Sequence, residues 1–256
     1  MAVVVLLSPG GSPGVTVTAL ALALTWPRDV IVAECDPAGG SVLAGLWRGH
    51  AEPGGAGMLR FALAAQRDPP NAAAVIRSEA LPLEDTPAAR FVLPAPAGPF
   101  AARQLAPAWP SLAAAFAAAT ADVIADAGRF DGESALAPLL GGAASVLMVC
   151  RPLIRQAAAV KPRLEALAQI RPARPADGLL LIGKGPYGSD AARVLTGALG
   201  VPVRGSLPFD PAASAVLSDG AAAPRGFRRS ALIRAAAAVA SGLARDIAGQ
   251  PAGAAR

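Results

Sequence analysis

Lysine is nearly absent from this chain. Only two of its 23 basic residues, Lys161 and Lys184, are lysine, and the rest are arginine. Histidine occurs once, as His50, so a Ser-His-Asp or Cys-His catalytic site is not supported. Two cysteines, Cys35 and Cys150, lie in different segments. They argue against a disulfide framework and for a reducing compartment, and they offer no zinc spacing. Aromatic residues make up 4% of the chain, with no RNA-binding aromatic signature among them. No apolar run reaches the roughly 18 to 20 residues that span a bilayer. The first apolar run has no basic lead-in and is too short for a signal peptide, which points to a cytoplasmic protein.

What is present is alanine, arginine, glycine and proline. The net charge is +5 over 256 residues, which permits contact with nucleic acid or an acidic membrane without establishing either. A chain of this length buries one large core or at most two small ones.

The most informative stretch is the first. Ala2–Leu7 is a β-branched, apolar run that reads as a buried strand. SPGGSPG follows, which neither continues a strand nor opens a helix before its end. Thr16–Leu24 then reads as a helix. A strand, a glycine-rich loop and a helix place backbone N–H groups and the positive end of a helix dipole where a phosphate can sit. The same sequence also fits a tight turn that binds nothing.

The rest of the chain alternates strand and helix. Strands are expected at Asp29–Glu34, Arg90–Leu93, Ala121–Ala125, Ser145–Cys150, Gly178–Ile182 and Val201–Ser206. Helices are expected at Ser41–Trp47, Gly57–Gln66, Asn71–Ala80, Ser111–Ala119, Ile154–Ile170, Asp190–Leu199, Ala213–Ser218 and Ser230–Ile247. Trp47 and Phe61 are expected in the core. The proline-rich section from Leu81 to Pro110 reads as irregular surface of one domain. The pattern implies a single α/β domain over residues 1–248, a doubly wound, mostly parallel sheet with helices on both faces, and a disordered tail at 249–256. Two acidic clusters end strands: Glu34-Cys35-Asp36-Pro37 and Asp126-Ala127-Gly128-Arg129. The carboxyl ends of parallel strands are the ligand side of such a sheet.

Taken in order, these segments resemble the ParA/MinD family of P-loop ATPases, whose deviant Walker A loop reads roughly KGGxGKT. The resemblance places Gly10, Gly11, Ser12, Gly14, Val15 and Thr16 around the nucleotide phosphates. Thr16, Asp36 and Asp126 would surround Mg²⁺, and Asp36 would act on the attacking water. ECDPAGG resembles the family's DxDPQG segment, and ADVIADAGR its Walker B segment, with Gly128 and Arg129 opening switch II. The run GVPVRGSLPFDP resembles the segment beside the base, with Pro208 in the base-side loop.

The departures are equally specific. Val15 stands at the phosphate-binding lysine and Gly10 at the signature lysine. Ile182 or Gly183 stands where the family reads adenine with asparagine. No apolar side chain replaces the point charge that a lysine brings to the β- and γ-phosphates.

The resemblance implies a degenerate member, a pseudo-ATPase with weak or absent hydrolysis. It would bind ATP or ADP with Mg²⁺, or no cofactor, and act as a homodimer that positions a partner assembly. TadZ/CpaE-like proteins, which localise pilus secretion machinery, are relatives of this eroded kind. Two alternatives stay open. One is an active ATPase with its cation from Arg129 or from a partner. The other is a partition protein that binds DNA through Arg225, Arg228, Arg229 and Arg234. The stripe Leu232, Ile233, Ala236, Val239, Ala240, Leu243 and Ile247 reads either as the core face of the last helix or as a membrane-binding face.

Overall fold

Val3 to Ser8 are all buried, as a strand covered on both faces requires, and this strand sits near the middle of the sheet. The structure is a computed structural model that describes residues 1–10, 14–49, 57–84, 89–132, 135–173 and 176–249. In chain order the elements are β1 (Val3–Ser8), α1 (Val15–Thr25), β2 (Val30–Glu34), α2 (Met58–Arg67), α3 (Pro69–Val75), β3 (Leu81–Pro82), β4 (Arg90–Leu93), α4 (Pro99–Arg103), α5 (Trp109–Ala118), β5 (Asp122–Arg129), α6 (Ala137–Gly142), β6 (Ser145–Cys150), α7 (Ile154–Ile170), β7 (Gly178–Ile182), α8 (Ala191–Leu199), β8 (Val203–Leu207), α9 (Pro211–Ser218) and α10 (Ala231–Ala248).

One eight-stranded sheet runs β3-β4-β2-β5-β1-β6-β7-β8. Every pair is parallel except the two-residue edge strand β3, which runs antiparallel to β4. Residues of alternating parity on each strand build two separate cores, one on each face. Val3, Val5 and Leu7 face one core, filled by residues of α2, α3, α5, α6, α7 and α8. Val4 and Leu6 face the other, filled by α1, α9 and α10. Within the first core Phe61 and Phe116 stack at a centroid distance of 5.5 Å. Chain order and spatial order part at β1: the chain passes to β2 on one side, returns through β5, and continues through β6 on the other. That reversal is where open α/β sheets hold ligands, beyond the carboxyl ends of the strands.

At the opposite end of the sheet, fully buried Asp122 collects hydrogen bonds from the Ala2 amide, the Trp26 indole and Arg28 at 2.8–2.9 Å. Arg171 and Asp177 pair at 3.2 Å under β6, and the Asp177 carboxylate also accepts the Val146 N–H. These buried charges are satisfied and tie the amino edges of the strands together.

Several expectations are corrected. Ser41–Trp47 is a series of turns, not a helix. Its first amides, those of Ser41 and Val42, point at the Glu34 carboxylate, which takes the place of a helix ladder. Trp47 is only partly buried, whereas Phe61 is fully buried. The strand expected to end near Asp126 runs on to Arg129, because Ser8 of β1 pairs with Arg129 and the Phe130 N–H bonds the Ser8 carbonyl. β8 begins at Val203, two residues later than expected. The region expected as Asn71–Ala80 is α3 followed by one 3₁₀ turn. β3, α4 and α6 were not anticipated. Of the tail expected at 249–256, residues 250–256 lie outside the described residues, as do His50, Gly11 and Ser12.

Candidate functional site

α1 begins just after Gly14, whose φ of +95° lies in the left-handed region that glycine occupies without strain. Among the described residues nothing lies within 4 Å of the position where its Cβ would be, so the requirement there is conformational. The Gly14 carbonyl accepts the Thr18 N–H at 2.9 Å and the Thr18 hydroxyl at 2.7 Å. Among the described residues no side chain caps α1, and no acidic residue occupies its first turn, so its amino end keeps a positive partial charge.

Val15, at the expected lysine position, is 7% exposed and packs into the core beneath α1 with Val4 and Leu6. The first residue of this helix therefore points into the protein interior.

Thr16 points the other way. Its hydroxyl donates to the Asp126 carboxylate at 2.5 Å, joining α1 to the middle of β5. The second Asp126 oxygen accepts the Gly128 N–H at 3.1 Å. Burial pushes the Asp126 carboxyl up to about 7, against those two hydrogen bonds, and the nearby Glu34 and Asp36 charges add to the rise. Glu34 is also raised, chiefly by burial, although its carboxylate accepts N–H bonds from Ser41, Val42 and Ala95 at 2.7, 3.0 and 3.2 Å. Glu34 thus works as a clamp that holds two loops to the end of β2.

Asp36 is raised by partial burial, while the Ala38 N–H at 2.8 Å and the charge of Arg129 pull it down. It lies against Gly128, whose φ is +60°, and a Cβ at Gly128 would collide with the Asp36 carboxylate. The DPAGG turn and the end of β5 therefore fit only with glycine at position 128.

The structure thus brings together Thr16, Asp36, Asp126, Gly14 and Arg129 at the carboxyl edge. Hard oxygen donors of this kind, a hydroxyl and two carboxylates, suit Mg²⁺. Gly10, at φ +152°, ends the described part of the loop, and Gly11 and Ser12 lie outside it. No group of three or more His, Cys, Asp or Glu residues capable of holding a metal occurs among the described residues.

Beside this cluster opens a cavity of about 140 Å³, lined by Gly14, Thr18, Arg151, Pro208, Phe209 and Leu232 among others. Pro208, expected beside a base, is one of the lining residues. Arg151 does not figure among the expected site residues. Its guanidinium lies over the Phe209 ring, 4.9 Å from the centroid. The signal that could have found it is its place: the first residue after β6, a strand adjacent to β1.

The arginines near α10 are exposed, but two of the four are engaged. Arg228 pairs with Glu84, which also pairs with Arg90 at 3.1 Å. Arg234 donates to the Arg229 carbonyl at 2.7 Å. The apolar stripe of α10 is buried against α1 and β8, except Ile247, which is partly buried. Among the described residues, no helix is long and apolar enough to cross a membrane.

No protein-family model matches the chain, and no curated protein matches it. Solved structures do. A ParA family ATPase from Chlorobium tepidum TLS superposes with a TM-score of 0.68 at 13% identity, covering 94% of this chain and 98% of that one. The septum site-determining protein MinD complexed with Mg-ADP, from Pyrococcus horikoshii OT3, gives 0.63 at 15% identity, with 97% of each chain covered. The MinC:MinD cell division complex of Aquifex aeolicus gives 0.69 at 15% identity, with 96% of each covered. The expected α/β architecture is therefore the fold seen in ParA and MinD structures, over nearly the whole chain.

Proposed function

We propose that this chain, which has the ParA/MinD fold, is a positioning or scaffold factor that keeps the nucleotide cleft of that fold without its hydrolytic charge. It acts as a dimer on a partner assembly. The observation that carries this reading is the contrast at adjacent residues: Val15 is buried in the core where a lysine would meet phosphate, while Thr16 still bonds Asp126. The elements that would hold Mg²⁺ and orient water are present, and the lysines that would neutralise the β- and γ-phosphates are not. Transition-state stabilisation in phosphoryl transfer is largely electrostatic, so loss of those charges removes turnover before it removes binding.

If nucleotide binds, Gly10, Gly11, Ser12, Gly14 and Val15 offer backbone to the phosphates, with Pro208 beside the base. Thr16, Asp36 and Asp126 are the residues that would hold Mg²⁺, which supplies charge to the phosphates when bound. Binding of Mg-ADP by the Pyrococcus horikoshii MinD and assembly of the Aquifex MinD with MinC support a nucleotide and a protein partner for this fold. A protein-binding role also draws support from Phe100, Ile154 and Phe209. Apart from Met1, they are the most exposed large apolar side chains among the described residues, at 74%, 69% and 61%. All three follow the carboxyl ends of strands, on the cleft side of the sheet.

The test is phosphate release from the purified protein with saturating ATP and Mg²⁺, beside Asp36→Ala. The expected result is the same background rate from both. Mg²⁺-dependent turnover that disappears in Asp36→Ala would overturn the non-hydrolytic reading and restore the active ATPase, with Arg129 or a partner as the source of charge.

A further inference from the structure

We infer that Arg151 is the cationic contact for an anionic, ring-bearing ligand of the nucleoside diphosphate class in the cavity beside α1, taking over the charge that the glycine loop lacks. This rests on the reading that the cleft still accepts nucleotide.

Three observations point to Arg151. It lines the cavity together with Gly14 and Thr18 of the first turn of α1, on one side, and Pro208 and Phe209 on the other. Its charge is not committed: among the described residues no carboxylate pairs with its guanidinium, which lies over the Phe209 ring at 4.9 Å. Its backbone, by contrast, is held. The Arg151 N–H donates to the Gln156 side chain at 2.7 Å, and the Leu153 N–H bonds the Arg151 carbonyl at 2.8 Å. The next residue, Pro152, lies so close to Gly185 that a Cβ at position 185 would meet the Pro152 carbonyl, which locks this loop against the one after β7. A fixed backbone carrying a long, uncommitted cation is suited to meet a phosphate on arrival.

Other cations near this edge do not compete for the role. Arg129 lies on the Asp36 side and its charge acts on that carboxylate. Lys184 is exposed and does not line the cavity. The chemistry of the guanidinium also fits the class: it is planar, always charged, and presents paired donors that match phosphate oxygens. The stack on Phe209 is weak enough to be exchanged for a charge-assisted hydrogen bond. Phe209, freed of Arg151, leaves a ring face at the mouth of the cavity for a base.

The experiment is calorimetric titration of the full chain with ADP, adenosine and inorganic pyrophosphate, without Mg²⁺ so that the Asp126 cluster takes no part. The proteins are the unaltered chain, Arg151→Ala, Arg151→Lys and Phe209→Ala. ADP is expected to bind the unaltered chain at least about tenfold more tightly than adenosine, the scale of a charged hydrogen bond. Arg151→Ala should bring ADP down to the adenosine level and leave adenosine unchanged. Arg151→Lys should fall between, since it keeps the charge and loses the fork. Phe209→Ala should weaken adenosine and ADP alike and leave pyrophosphate unchanged. A melting curve for each variant accompanies the titrations, and Arg151→Lys carries the test if Arg151→Ala proves unfolded. Equal ADP affinity in the unaltered chain and Arg151→Ala overturns the inference, as does equal affinity of the unaltered chain for ADP and adenosine. So does failure of ADP to bind at millimolar concentration, and that result leaves the non-hydrolytic reading standing. Turnover of ATP, in turn, defeats that reading and not the role of Arg151.

Discussion

Asp126→Asn should stabilise this protein at pH 8 and lose that advantage at pH 5. Burial raises the Asp126 carboxyl from 3.8 to about 7, so the folded chain holds this proton to a higher pH than the unfolded chain does. Stability from this group is therefore greatest below about pH 4, declines as pH rises toward 7, and stays low above it. A shift of about three units corresponds to at most about 4 kcal/mol, at ~1.4 kcal/mol per unit. The asparagine amide is still a polar group out of water, which leaves a net gain of about 2 kcal/mol. For a chain of this size that is a rise of about 4–8 °C in melting temperature at pH 8. The geometry tolerates the change, because the side-chain carbonyl still accepts the Gly128 N–H and the amide can donate to the Thr16 hydroxyl. The assay is a melting curve of both proteins at half-unit steps from pH 5 to pH 8.5. A variant less stable than the parent at pH 8, or a difference that does not vary with pH, would refute the assignment of a charged, uncompensated carboxylate at this site.

The remaining predictions concern the scaffold around the cleft. Glu34→Ala leaves the Ser41, Val42 and Ala95 N–H groups without their acceptor, two of them at buried residues. Urea unfolding should show a loss of about 3 kcal/mol or more, at ~1–3 kcal/mol for each stranded donor; a loss under about 1 kcal/mol would mean that water replaces the carboxylate. Gly128→Ala combines a φ of +60° with a collision against Asp36. It should lower the melting temperature and expose the DPAGG turn to limited proteolysis, whereas Gly141→Ala, with open space around its Cβ position, should be nearly neutral.

The alternation of strand and helix, the place of β1 and β2, and α1 beyond the glycine loop, to within a residue at each end, were legible from apolar runs and glycine-proline punctuation, because those signals are local. The loss of both lysines was equally plain, since it needs no coordinates. The burial of Val15 was not, because a valine after a loop can face ligand or core, and only the packing of α1 on Val4 and Leu6 decides. Ser41–Trp47 misled for a related reason: its composition permits a helix, but the Glu34 carboxylate, brought near by β2, captures its first amides. The extension of β5 to Arg129 depends on pairing with Ser8, a partner 121 positions away in the chain. Nothing beside Arg151 in the chain marks it; it gains meaning only where β6 lies next to β1 and the β8–α9 loop brings Phe209 beneath its guanidinium. Sequence by itself thus determined the layers and the missing charges. The tertiary structure decided which side chains face the cleft, because that depends on strand order and on contacts between segments far apart in the chain.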